Sequence, residues 1–202
     1  GSMLAYREPV FKKRLAYSTV SQVSYILFGM AVLTPVGLTG ALLHVVYHAF
    51  IKCTLFLVAG IFIFQCGRSR VDELEGIGKF MPKTLWCYTL AALALIGIPP
   101  ASGFISKWYL AQGALESPIG NLGWTGVVVL LVSALLTAGY LLPVTMKGFF
   151  TDKKDAELVY MKGEPPAEML APLIILAFLT IILGVMPDAL TALAAQISAA
   201  VM

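Results

Sequence analysis

Gly97-Ile98-Pro99-Pro100-Ala101-Ser102-Gly103-Phe104-Ile105-Ser106-Lys107 decides how this chain folds. It sits inside an apolar stretch, residues 83–116, with no Asp, Glu, Lys or Arg from Thr84 to Ser106. As one straight helix the stretch would be roughly 50 Å long, more than the roughly 30 Å of hydrocarbon in a bilayer. Two prolines and two glycines should break it, because proline lacks the amide donor and clashes with the preceding turn. A broken span is tolerated only where it is buried in protein or lines a wet cavity, and such breaks gather at transport sites. A plain proline kink, or two short re-entrant pieces, is the alternative.

The rest of the chain sets the context for that break. Of 202 residues, 59% are hydrophobic and 12% are charged. One buried core cannot absorb so much apolar surface. The composition excludes a disordered chain, a nucleic-acid-binding module and an ordinary cytosolic enzyme, and points to an all-α polytopic membrane protein. Further charge-free runs are Leu15–Ile51, Cys53–Gly67, Ser117–Met146 and Met169–Pro187. The first is too long for one span and turns at Thr34-Pro35-Val36-Gly37. About five transmembrane helices are therefore expected, near 15–34, 38–66, 83–116, 121–147 and 168–187, the third broken at Gly97–Gly103. There is no signal-peptide pattern.

Basic residues give the orientation. Arg7, Lys12, Lys13 and Arg14 precede the first span. Arg68, Arg70, Lys79 and Lys83 lie between the second and third, and Lys147, Lys153, Lys154 and Lys162 between the fourth and fifth. The opposite loops, near residue 35, at 117–120 and after 187, carry none. By the positive-inside rule the basic loops are expected in the cytoplasm, with the C-terminus outside. Trp86 and Trp124 fall near span ends, as interfacial aromatics do. Pro143 is expected to kink the fourth span.

Two basic residues remain, Lys52 and Lys107, both inside spans. A lysine at a helix centre costs about 2.5–3.5 kcal/mol on insertion scales, so it marks a functional site unless it snorkels to an interface. Snorkelling is awkward for Lys52, and Lys107 sits four residues past Gly103, where water could reach it. Trp108, beside Lys107, either caps that gap or packs. The second span also carries both histidines, in His44-Val45-Val46-Tyr47-His48-Ala49-Phe50-Ile51-Lys52. Steps of four advance about 6 Å and roughly 400°, so the three side chains form a slowly winding row about 12 Å deep. Imidazole both donates and accepts near neutrality, which makes the row a sensible proton wire. Packing is the bland reading of a lone membrane histidine, and it fits two in register with a lysine less well.

Carboxylates are nearly absent from the spans. Glu116 and Asp188 lie at span ends, where helix-end roles suffice. The intramembrane lysines thus lack an acidic partner in this chain, and one from outside is expected. A metal site is not expected from two imidazoles without a carboxylate. Cys53, Cys66 and Cys87 lack CxxC spacing and read as small buried hydrophobes. No nucleophile–base motif, phosphate loop or dinucleotide fingerprint occurs, so no cofactor is expected.

Three blocks carry a family resemblance: Lys13-Arg14-Leu15-Ala16-Tyr17-Ser18-Thr19-Val20-Ser21-Gln22, then His44 to Lys52 continuing into Leu55-Phe56-Leu57, then Gly97 to Lys107. Together they resemble the antiporter-like subunits of respiratory complex I. That family includes the large subunits of multisubunit cation/proton antiporters and of energy-converting membrane-bound hydrogenases. The resemblance implies inverted repeats, each holding one broken helix with a lysine or glutamate near the break. It places Lys107 at the broken helix of the second repeat and His44, His48 and Lys52 on the polar row of the preceding helix, with proton-path roles. Gly97, Pro99, Pro100 and Gly103 form the break. It also implies that residues 1–150 are the C-terminal part of the proton-conducting domain, followed by a cytoplasmic loop at 151–167 and a final helix and tail at 168–202.

The sequence departs from the family in lacking the earlier helices, with their first repeat. Gly1-Ser2-Met3 reads as the native end of a preceding helix or as an expression remnant; a C-terminal portion is expected, and a naturally split subunit competes. The implied function is proton translocation within a redox-driven complex of the NADH-quinone oxidoreductase or membrane-bound hydrogenase type, in the inner or cytoplasmic membrane. Its partners would be other membrane subunits, lipid and protons. The alternatives are a subunit of a sodium/proton antiporter, with sodium as a further ion, and a non-conducting scaffold.

Overall fold

In a computed structural model, the protein is a bundle of helices; residues 1–120, 122–150 and 163–202 are described. Short helix α1 (Ser2–Arg7) leads into α2 (Phe11–Ala31). Helix α3 (Pro35–Cys66) follows, then two 3-10 turns at Val71–Leu74 and Ile77–Lys79. Helices α4 (Pro82–Ile96) and α5 (Ser102–Leu115) flank the break. Helix α6 (Leu122–Phe150) runs through Pro143, and α7 (Ala167–Val185) and α8 (Asp188–Val201) close the chain. Most of the 151–167 loop, with Lys153, Lys154 and Lys162, lies outside the described residues.

Local chemistry sets the boundaries. Thr34 caps α3, its hydroxyl accepting from Gly37 N at 3.1 Å, and Pro35 takes the first helical position, where no amide donor is needed. The expected turn is therefore tighter than 34–38 and costs α3 no residues. Pro82 starts α4 in the same way. That helix has no side-chain cap of its own. Its first turn is closed from across the fold by Glu164, which accepts from Lys83 N at 2.5 Å and from Thr84 Oγ1 at 2.7 Å. Residues 188–202, expected as a tail, are mostly helical. Pro187 stops α7, and an Ala- and Leu-rich sequence restarts with Asp188 in the first turn.

Helix α3 is the centre of the bundle and packs against α2, α4, α5, α7 and α8. Tyr47, Ile51, Leu55 and Phe62 bury its inner face against Leu15 and Tyr88, all in one core. On the periphery the polarity is reversed relative to a water-soluble protein: Val129 and Leu135 of α6 and Phe178 of α7 are exposed. Such a surface suits lipid. Three helices, Pro35–Cys66, Gly123–Phe150 and Ala167–Val185, are long and apolar enough to cross a membrane; Pro82–Ile96 and Asp188–Val201 are shorter and apolar. The chain is a multi-pass membrane protein. Helix α2 is diluted by polar residues that face inward, among them Ser18, Ser21 and Gln22. Of the cysteines, all free, Cys87 is buried but Cys53 is exposed on the outer face of α3, so the expectation of burial fails there.

Candidate functional site: buried lysines at a helix break

The apolar stretch at 83–116 does break. Helix α4 ends at Ile96 on Gly97, whose φ of 94° is a left-handed conformation natural to glycine. Residues 98–101 form the link, and α5 starts at Ser102. Gly103 permits the return: a Cβ there would stand 1.9 Å from Ala94 O, so no side chain fits between the half-helices.

Lys107 completes the end of α4. The last carbonyls of a helix have no partner within it. Leu93 O and Ala94 O receive Gly97 N, and Lys107 Nζ donates to Leu95 O at 2.7 Å and Ile96 O at 2.8 Å. The ammonium also meets the negative end of the α4 dipole and stands 5.2 Å from the ring centroid of Tyr25. A cavity of about 310 Å³ opens beside it, lined by Gly97, Phe104, Lys107, Trp108, Val127 and Leu131. Trp108 therefore lines this gap, tilted against Phe104.

Lys52 lies elsewhere, on the α2 side of α3. It is 6% exposed, and Nζ donates to Leu15 O at 2.8 Å and to Ser18 Oγ. Between the lysines, His44 and His48 stack with centroids 6.0 Å apart and planes 14° from parallel, the spacing that four-residue steps require. His44 bridges three helices, bonding Gln22 of α2 and Ser106 of α5. The Nε2 of His48 is buried without a hydrogen-bond partner among the described residues. Among the described residues no carboxylate contacts either lysine; Arg70 pairs with Asp72 and Lys147 with Glu75 at the periphery. Glu116 caps α5 and accepts from Gln112 Nε2 at 3.2 Å.

Of the four polar residues singled out in the sequence, Lys52, His44 and Lys107 thus lie at junctions between helices, while His48 stacks on His44 along α3. Their partners Ser18, Gln22, Tyr25 and Ser106 were not singled out. One signal was present: Arg14, Ser18 and Gln22 repeat the four-residue spacing on α2, and Ser18 and Gln22 bond Lys52 and His44 of the row on α3. Arg14 is buried, donating to Glu8 O at 2.8 Å and Tyr140 O at 3.0 Å. The carbonyl partners of the lysines carried no signal, since which carbonyls a helix end frees depends on the fold.

A multi-pass bundle whose central helix carries a His-His-Lys row against a lysine-capped break has the form of an antiporter-like membrane subunit. Residues 1–137 match the family described as NADH:quinone oxidoreductase/Mrp antiporter, TM, and the chain belongs to it. A similar curated relative is NADH-quinone oxidoreductase subunit N of Desulforudis audaxviator, 42% identical over 194 residues, covering 91% of this chain and 38% of the relative. The chain therefore spans less than half the length of that relative. Among solved structures, the Mrp complex from Dietzia sp. DQ12-45-1b contains a chain of TM-score 0.86 and 25% identity, covering 98% of this chain and 44% of that one. Respiratory complex I from Thermus thermophilus contains one of TM-score 0.83 and 23% identity, covering 98% and 41%, which shows the shared fold.

Proposed function

We propose that the chain moves protons across the membrane as part of an antiporter-like subunit of a redox-driven complex, with other membrane subunits as partners. The observation that carries this is the pair of intramembrane lysines with no acidic partner among the described residues, one of them capping a broken helix beside a cavity. Both lysines are satisfied by carbonyl and hydroxyl oxygens, and a lysine kept at its cost inside a span without a neutralising carboxylate is a functional-site hypothesis by default. Lys107 exchanges protons with water at the break, and Lys52, His48 and His44 extend the path along α3. In this reading α2, α3, the α4–α5 pair, α6 and α7 are the five spans, one arm of an inverted repeat, and the basic loops face the cytoplasm. The redox chemistry resides in partner subunits, as the name of the subunit N relative suggests.

The test is proton translocation per turnover in an assembled complex carrying Lys107→Ala or Lys52→Ala. Both should depress pumping strongly. Normal assembly with wild-type stoichiometry in both would make the lysines structural and favour a scaffold. The likeness to the Mrp complex supports a second reading, a sodium/proton antiporter subunit. Co-purification with iron–sulfur and quinone- or hydrogen-handling proteins favours the first; small hydrophobic subunits alone favour the second.

A further inference from the structure

The surroundings of His44 accommodate two charge states of its ring. The side chain is 2% exposed, and both nitrogens are held by protein: Nε2 lies 3.1 Å from Gln22 Oε1 and Nδ1 lies 2.9 Å from Ser106 Oγ. Gln22 and Ser106 are themselves fully buried. With the Gln22 amide oxygen turned to the ring, Nε2 carries a hydrogen; in this orientation the amide Nε2 of Gln22 is buried without a hydrogen-bond partner among the described residues. In the neutral ring Nδ1 is then an acceptor, and Ser106 donates to it.

A second acceptor for the same hydroxyl lies close by. Ser106 Oγ is 3.2 Å from Gly103 O, at the break. If Nδ1 gains a proton, it donates to Ser106 Oγ, and the hydroxyl hydrogen turns to Gly103 O. Gln22 still accepts from Nε2. The bonds of the ring to Gln22 and to Ser106 are kept in both states, and the hydroxyl gains Gly103 O as its acceptor when the ring is charged. A buried imidazole bonded to a fixed donor would instead set two donors against each other on protonation.

We propose that Ser106 and Gln22 are positioning residues that make His44 a reversible proton store loaded at Nδ1, from the side of the break. The proposal rests on the proton-path reading above. In the loading step the Ser106 Oγ–H bond breaks as Nδ1–H forms. Ser106 takes a replacement proton from a water molecule, which takes one from the Lys107 ammonium. The net change is ammonium to amine at Lys107 and imidazole to imidazolium at His44. Gln22 keeps the second nitrogen occupied, so the load returns by Nδ1.

The experiment uses the assembled complex carrying Ser106→Ala, Ser106→Thr, Gln22→Met or Lys107→Ala. Proton translocation per turnover is measured together with ¹⁵N spectra of histidine-labelled complex, His44 being assigned by difference from His44→Asn. Ser106→Ala should lower translocation several-fold, and Ser106→Thr, which keeps the hydroxyl, should restore it. The neutral ring should carry its hydrogen on Nε2 in the wild type and become a mixture of tautomers in Gln22→Met. Wild-type translocation by Ser106→Ala where Lys107→Ala is defective overturns the proposal alone, as does a neutral ring protonated at Nδ1. Wild-type translocation by Lys107→Ala as well overturns the parent reading and this one with it.

Discussion

At the scale of single residues, the proposed function gives Lys107 two duties that substitution can separate. Its Nζ satisfies Leu95 O and Ile96 O, and a proton carrier must also let a proton go. Lys107→Arg keeps donors for the carbonyls but stays protonated at any working pH. We expect it to assemble normally while proton translocation falls nearly as far as in Lys107→Ala; full translocation by the arginine variant would reduce Lys107 to a cap. His48→Ala should cost less, because its Nε2 has no protein partner and water can occupy the vacated space. Translocation in reconstituted complex measures both. The row on α3 was legible because lysine and histidine are rare and costly in a span. Ser18, Gln22 and Ser106 were not, because small polar residues are common in helices and only the packing reveals which are buried against one another.

At the scale of elements, the break is a joint held at both ends. Inserting a methyl at Gly103 sets a Cβ against Ala94 O, and over-packing of this kind typically costs about 1–3 kcal/mol. Gly103→Ala should therefore lower the thermal midpoint of the purified complex, and an unchanged midpoint would mean that α4 and α5 can slide apart. At the far end Glu164 closes the first turn of α4. Loss of such a cap is worth about 1 kcal/mol. Glu164→Ala should raise hydrogen exchange at the amides of Lys83 and Thr84 and leave α5 unaffected. The break and the helix limits could be read ahead because proline, glycine and threonine act locally. The restart at α8 could not, since an apolar Ala-rich segment after a proline suits a tail as well as a helix. Glu164 could not either, being about eighty residues from the turn it closes.

At the scale of the whole molecule, the placement of basic residues makes a topological prediction. Single-cysteine labelling in sealed vesicles should find 68–83 and 147–167 on one side, and the turn near Pro35 and the 117–120 loop on the other. Opposite accessibility of the two basic segments would refute the five-span arrangement. Composition alone conveyed the membrane class, while the inward polarity of α2 required the bundle, since Ser18, Ser21 and Gln22 dilute apolarity yet face α3 and α6. One dimension carries a further consequence. Helix α3 has 32 residues, about 48 Å of rod for a hydrocarbon slab of roughly 30 Å. Such a mismatch is relieved by leaning, by protruding or by local thickening of the membrane, each at a modest cost per ångström. The row of His44, His48 and Lys52 rides on this helix, so the depth of each of these side chains below the headgroups depends on membrane thickness. Reconstitution across a series of acyl-chain lengths should show an optimum in proton translocation, shifting toward thicker membranes when an apolar turn is added to the end of α3. A flat response would mean that neighbouring subunits, rather than lipid, set the tilt of α3.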